Sequence, residues 1–233
     1  HGASREVVPS ALDTMAGEQQ VAAERFLLIM QPFHDMASPQ LEGLAAGGRR
    51  VISFDPRGYG QSRPPARRFP HDYYHIDAAD AAGLMRALGH ERYDLMGWSD
   101  GANAGVILAA QNAAAVRKLV VFGGNSYITQ EDIDAYDATR DVAATWSKRM
   151  KASLEPIYGD DLQPMWSSFC DGMQAIFAAG GDICQAEARA LACPTFVLGG
   201  EDAEAAHDQP RGQQSAGGLA EPAPGRSISG ECR

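Results

Sequence analysis

This sequence is short of positive charge. Its 20 Lys and Arg stand against 30 Asp and Glu, a formal net charge of −10. That balance argues against nucleic acid as a partner, because a phosphate-binding surface needs clustered Lys and Arg. The negative field mildly favours cationic substrates. Also missing is any run near the roughly 20 apolar residues of a membrane span. The four cysteines, Cys170, Cys184, Cys193 and Cys232, include no CxxC pair, which argues against a zinc site or a disulfide framework. They read as reduced thiols of an intracellular protein, cytoplasmic or mitochondrial. The chain begins with His1, so a targeting segment upstream stays open. After Asp202 the only large aliphatic residues are Leu219 and Ile228. Residues 203–233 therefore cannot bury enough apolar area to offset their ordering entropy, and disorder is expected there.

The rest has ordinary globular composition, 45% hydrophobic and 21% charged. A length of 233 residues suits one core domain with an inserted subdomain. Residues 1–24 show no period and read as a loose lead-in. Phe26–Met30 and Val51–Phe54 are short apolar runs expected as buried strands. Ile76, Ala82, Leu84, Met85 and Leu88 recur at helical spacing, with Gly89 as a C-cap. Tyr93–Met96 predicts a strand, Gly101–Gln111 a helix of small residues, and Leu119–Phe122 another strand.

Such alternation implies crossover connections and an α/β fold, a parallel sheet with helices on both faces. From Thr129 to about Ala190 helix-forming stretches dominate, with breaks expected at Pro156-Ile157-Tyr158-Gly159 and Gly180-Gly181. Thr195–Gly199 then returns to strand. The expected organisation is a core over 25–128, a helical cap over 129–190, a core strand within 191–202 and a tail over 203–233. Trp146, Trp166 and Phe169 of the cap have two readings, pocket lining or core.

Gly97-Trp98-Ser99-Asp100-Gly101 fits G-x-S-x-G. It follows a strand and opens a helix, the context in which a serine sits on a strained turn with its hydroxyl at the sheet edge. The following helix points its N-terminus at the site, where N–H groups and the dipole favour developing negative charge, and the Asp100 N–H is a natural oxyanion donor. An ordinary Gly-rich strand–helix turn is the alternative. By contrast, Arg57-Gly58-Tyr59-Gly60-Gln61-Ser62 lacks both the full G-x-G-x-x-G and a P-loop lysine, and reads as a structural turn. No motif calls for a metal or cofactor.

Asp55-Pro56-Arg57-Gly58-Tyr59-Gly60-Gln61-Ser62-Arg63-Pro64-Pro65, with the Trp-Ser-Asp elbow, resembles the biphenyl hydrolase-like proteins, also called valacyclovir hydrolases. So do Tyr127-Ile128-Thr129 with Glu131-Asp132, Arg140-Asp141-Val142 and Cys193-Pro194, and the likeness runs from about Arg50 to Asp202. It implies an α/β-hydrolase fold, a Ser-His-Asp triad with Ser99 as nucleophile, and hydrolysis of α-amino acid esters. It also implies that Asp100 holds the substrate's protonated amino group, which is physically apt because a carboxylate beside the nucleophile would pair with an ammonium. A plain helix N-terminal acid is the other reading of Asp100.

Three departures from that family stand out. Asp202 closes the last strand as the triad acid should. Counted from Cys193-Pro194, though, the family's aspartate falls at Ala203, and a surface carboxylate is the alternative. No histidine follows His207, which is too near Asp202 to be the base. His34, His71, His75 and His90 come in the wrong chain order and read as surface or satisfied side chains, His34 alone lying near the oxyanion loop. That loop reads Met30-Gln31-Pro32-Phe33-His34, and Pro32 has no N–H to donate.

The expectation is a serine esterase acting on a small-molecule ester, as a monomer or weak oligomer, impaired for want of a base and lacking the last strand and helix. The tail reads as out-of-frame sequence or an alternative exon, which sequencing the transcript across codon 202 tests. The alternatives are a carbon–carbon bond hydrolase of ring-cleavage products and a non-catalytic truncated remnant. Aspartate-nucleophile dehalogenases and epoxide hydrolases are disfavoured because Ser99 holds the elbow.

Overall fold

The computed structural model describes residues 6–7, 25–29, 43–46 and 50–198. In order these form β1 (Glu6–Val7), β2 (Arg25–Ile29), β3 (Arg50–Phe54), α1 (Tyr73–Ala87), β4 (Tyr93–Trp98), α2 (Asp100–Gln111) and β5 (Val116–Phe122). Then come α3 (Gln130–Ala138), α4 (Val142–Thr145), α5 (Lys148–Tyr158), α6 (Leu162–Ala178), α7 (Gln185–Arg189) and β6 (Thr195–Leu198). The predicted strands and helices all appear where they are described, with ends shifted by up to three residues. The expectations for the tail, and for an absent last strand and helix, fall outside the described residues.

The strands form one sheet in the order β1-β3-β2-β4-β5-β6. All neighbours are parallel except β1, which pairs antiparallel with β3 through Glu6 opposite Ile52 and Val7 opposite Val51. This strand inside the expected lead-in is a correction; two residues are too few for a period to signal. β2 connects to β3 on one side, while β4 lies on the other side and connects onward to β5. The carboxyl ends of β2 and β4 therefore flank the point where the topology reverses, the usual ligand crevice of such sheets.

Packing fixes the helix that follows β4. Every residue of α2 from Asp100 to Ala109 is buried, because its Ala, Gly and Val positions let it settle against β4, β5 and α1. Burial of Val106, Ile107 and Leu108 each stabilises by about 1.5–3 kcal/mol. The predicted C-cap of α1 is a Schellman motif: Gly89 has φ +76°, His90 N–H donates to Met85 O at 2.8 Å and Gly89 N–H to Arg86 O at 3.0 Å. At the edge, Phe196, Val197 and Leu198 of β6 are 55%, 42% and 49% exposed. Strand edges of that kind are ordinarily covered.

The helices between β5 and β6 are tied off at their base. Ile128 N–H donates to Gly181 O at 2.7 Å, and the N–H groups of Ile183 and Cys184 donate to Ser126 O at 3.0 and 3.1 Å. Thr129 opens α3 with a capping box, donating its N–H to Asp132 Oδ2 at 2.8 Å and accepting from Asp132 N–H at 3.3 Å. The break expected over Pro156-Ile157-Tyr158-Gly159 falls at its last residue: α5 runs through Pro156 to Tyr158 and ends at Gly159, φ +52°. Pro156 has no N–H to give the Ala152 carbonyl, so α5 continues through it at the loss of one ladder bond. Arg63 Nη2 also caps that turn by donating to Ile157 O at 2.6 Å, its guanidinium lying 4.6 Å over the Tyr158 ring.

Candidate active site

Ser99 directly follows β4, at φ 55° and ψ −129°. A non-glycine residue at positive φ with this ψ carries strain on the order of 1–3 kcal/mol, and persists only where its surroundings fix it. Here its N–H donates to Phe122 O of β5 at 3.0 Å, and its own carbonyl accepts from Ala102 N–H at 2.8 Å. Two glycines permit the corner. A Cβ on Gly97 would sit 2.3 Å from Gly101 O, and one on Gly124 would meet Ala102 Cβ at 2.7 Å and Asn103 Oδ1 at 2.8 Å. The serine is half-buried, and its Oγ donates no hydrogen bond to a described residue. No backbone bond among the described residues uses the Asp100 N–H. It belongs to the first turn of α2, where helical N–H groups have no intrahelical partner.

Asp100 is buried and its carboxylate is gripped from α1. Tyr73 Oη donates to Oδ2 at 3.2 Å and Tyr74 Oη to Oδ1 at 3.0 Å. Burial lifts the carboxyl from its usual range to about 6, opposed by the Tyr74 hydroxyl, the Arg67 charge and the Tyr73 hydroxyl. Beneath it, Arg67 and Asp77 form a buried two-bond ion pair at 2.7 and 2.6 Å, with the guanidinium 4.4 Å over the Tyr59 ring and 5.2 Å over Tyr73. On the other side, Asn103, fully buried, accepts Asn125 N–H at 2.9 Å and donates to Asn125 Oδ1 at 3.1 Å. That amide pair sets the path of the chain leaving β5.

Sequence patterns pointed to Ser99 and Asp100 and passed over Tyr73, Tyr74, Arg67, Asp77, Asn103 and Asn125. One signal was available: Asp77 lies on the apolar face of α1 between Tyr73 and Ala81, and a buried acid needs a partner. Asp202, His34, His207 and the loop around Pro32 lie outside the described residues. His71 is exposed, His90 is buried, and His75 Nε2 meets Glu187 Oε1 at 3.1 Å. Among the described residues no imidazole hydrogen-bonds to Ser99 Oγ.

The aromatics of the helical segment resolve as core. Trp146 and Phe169 are each 7% exposed, Trp166 stacks on Phe169 at 4.9 Å, and both indole N–H groups donate to Thr139 O, at 3.2 and 2.8 Å. The Arg57–Ser62 stretch is a turn, closed by Ser62 N–H to Tyr59 O at 2.8 Å and Ser62 Oγ to Asp55 O at 2.7 Å.

A parallel sheet with a strained serine between the end of its central strand and a buried helix defines an α/β-hydrolase-type protein. The family model for the alpha/beta hydrolase fold matches residues 33–168, and the chain belongs to that family. It is 40% identical over 166 residues to "Serine hydrolase BPHL" of Mus musculus, covering 70% of this chain and 57% of that protein. The chain thus spans little more than half of that relative's length. It is 37% identical over 89 residues to the 2-hydroxy-6-oxononadienedioate/2-hydroxy-6-oxononatrienedioate hydrolase 2 of Pseudomonas putida, covering 38% and 30% of the two chains. Among solved structures, NosK from Streptomyces actuosus aligns with a TM-score of 0.60 at 19% identity, over 75% of this chain and 76% of that one; this likeness speaks to the fold alone.

Proposed function

We propose that the chain carries the nucleophile half of a serine esterase for α-amino acid esters, with Ser99 as nucleophile. Ser99 Oγ attacks the ester carbonyl, the Asp100 N–H stabilises the oxyanion, the alcohol leaves, and water releases the acid from the acyl-enzyme. The Asp100 carboxylate pairs with the substrate's ammonium and holds the carbonyl near Ser99. Asp202 is the proposed triad acid. The helices from α3 to α7 form a cap over the sheet edge. Supporting the reading most directly is an ionisable carboxylate fixed one residue from the strained serine; the match to a serine hydrolase adds to it.

The base is a histidine we place in the part of the relatives that this chain does not span. Turnover by the chain alone is accordingly low, since loss of a triad base costs on the order of 10⁶ in rate in subtilisin. With a base supplied, an α-amino ester is hydrolysed faster than its N-acetylated form. Equal rates remove the Asp100 assignment. The Pseudomonas putida match favours a second reading, a carbon–carbon bond hydrolase. That reaction has no use for a carboxylate at Asp100, and turnover of a ring-cleavage dienoate in preference to esters selects it. Free thiols at Cys170, Cys184 and Cys193 fit a reducing compartment, cytoplasmic or mitochondrial.

A further inference from the structure

Asp100 lies where an unaided carboxylate would keep its proton. The residue is 9% exposed, and Tyr73 and Tyr74 pack over it with ring centroids 3.9 Å apart. Both phenols are themselves buried. Each hydroxyl lies within hydrogen-bond distance of a different carboxylate oxygen. The two phenols also hydrogen-bond each other, and Tyr74 Oη lies 4.0 Å from Met173 Sδ. Each carboxylate oxygen keeps a lone pair for another donor. Resting on the proposal that Asp100 takes the substrate's ammonium, we propose that Tyr73 and Tyr74 are the positioning residues of amine selection: their hydroxyls, one on each oxygen, hold Asp100 as an oriented anion ready to accept a primary ammonium.

The charges around Asp100 support that division of labour. From the chain before α1 come the Arg67 guanidinium and the buried Tyr59; from α1 come Tyr73, Tyr74 and Asp77; from α3 comes Tyr136. Arg67 favours the anion, but its two-bond partner is Asp77, which opposes it. The tyrosine hydroxyls therefore supply the direct stabilisation, at hydrogen-bond distance. Removing one leaves the burial unchanged and the anion less favoured, so ammonium binding then requires a higher pH.

Binding tests this without turnover. L-phenylalaninamide and N-acetyl-L-phenylalaninamide are titrated into the chain from pH 5 to 9, followed by tryptophan fluorescence. Wild type is expected to prefer the free amine, with affinity falling on the acidic side near pH 6. Tyr73→Phe and Tyr74→Phe each raise the midpoint of that acidic limb by about one pH unit, weakening amine binding about threefold at pH 6.5, and leave the acetylated probe unaffected. Should either variant fail to fold, replacing the tyrosines with 3-fluorotyrosine, a stronger hydrogen-bond donor of nearly equal size, lowers the same midpoint. Equal binding of both amides by wild type removes the ammonium reading and this inference together. An amine preference whose acidic limb moves in neither the phenylalanine variants nor the fluorotyrosine protein overturns the inference alone.

Discussion

Arg67 and Asp77 meet through two short hydrogen bonds, 2.7 and 2.6 Å, with each side chain only 3% exposed. Arg67 Nη1 also donates to Arg57 O at 3.0 Å, while its Nε is buried without a hydrogen-bond partner among the described residues. Asp77→Asn leaves a guanidinium sealed beneath the site without its counter-charge, and is expected to cost about 3–5 kcal/mol in urea unfolding. Replacing both residues with apolar ones of similar size costs less than that single change. A loss under 1 kcal/mol for Asp77→Asn indicates that water reaches the pair.

Gly97→Ala and Gly124→Ala test the corner itself. Each methyl would press on backbone or on the Asn103 amide at under 3 Å. Each is expected to destabilise by about 3 kcal/mol, the upper end for overpacking. Gly105→Ala, whose Cβ would meet Leu119 and Leu95 at ordinary contact distances of 3.6 and 3.7 Å, is tolerated by comparison. Urea midpoints for the three variants check the order.

Ser99→Gly removes the conformational cost of φ 55°. Stability is expected to rise by about 1 kcal/mol, or about 2–4 °C in melting temperature for a chain of this size, while nucleophilic activity disappears. Ser99→Ala gains nothing of the kind. Equal melting temperatures for the two variants would show that the corner is unstrained.

Asp100 gives a pH dependence of definite sign. Its carboxyl holds a proton up to about pH 6 in the native state, against an ordinary value of 3.8. Between those limits the native chain binds more protons than the unfolded one, so this contribution to stability falls as pH rises from about 4 to 6 and stays lost above. Asp100→Asn carries no such charge. Its melting temperature relative to wild type is expected to be higher at pH 7.5 than at pH 4, by a few degrees. A pH-independent difference contradicts the buried anion.

Much of this was legible in the sequence, for reasons that differ by element. The strands over residues 51–54 and 93–96 and the corner at 97–101 are written in consecutive residues, where one apolar run ends in Asp55-Pro56, the other in Gly97, and a five-residue motif marks the turn. The Asp100 clamp was not legible. Tyr73 and Tyr74 are 27 and 26 residues from the carboxylate they hold, and nothing local distinguishes them from core tyrosines. Arg67 reads as a surface charge until the fold closes Phe69 and Tyr73 around it. β1 escaped because two residues carry no period.

The central claim is that Ser99 is a nucleophile presented by a complete corner and waiting for its base. Reaction with a fluorophosphonate, with the modified residue located by mass spectrometry, tests it most directly. It is applied to this chain and to a fusion carrying the C-terminal segment of the mouse relative, first shown to melt cooperatively. The predicted result is little or no modification of the chain alone, rapid modification of Ser99 in the fusion, and none in its Ser99→Ala variant. Rapid modification of the chain alone, a folded fusion that stays unmodified, or an adduct on any residue other than Ser99 contradicts it.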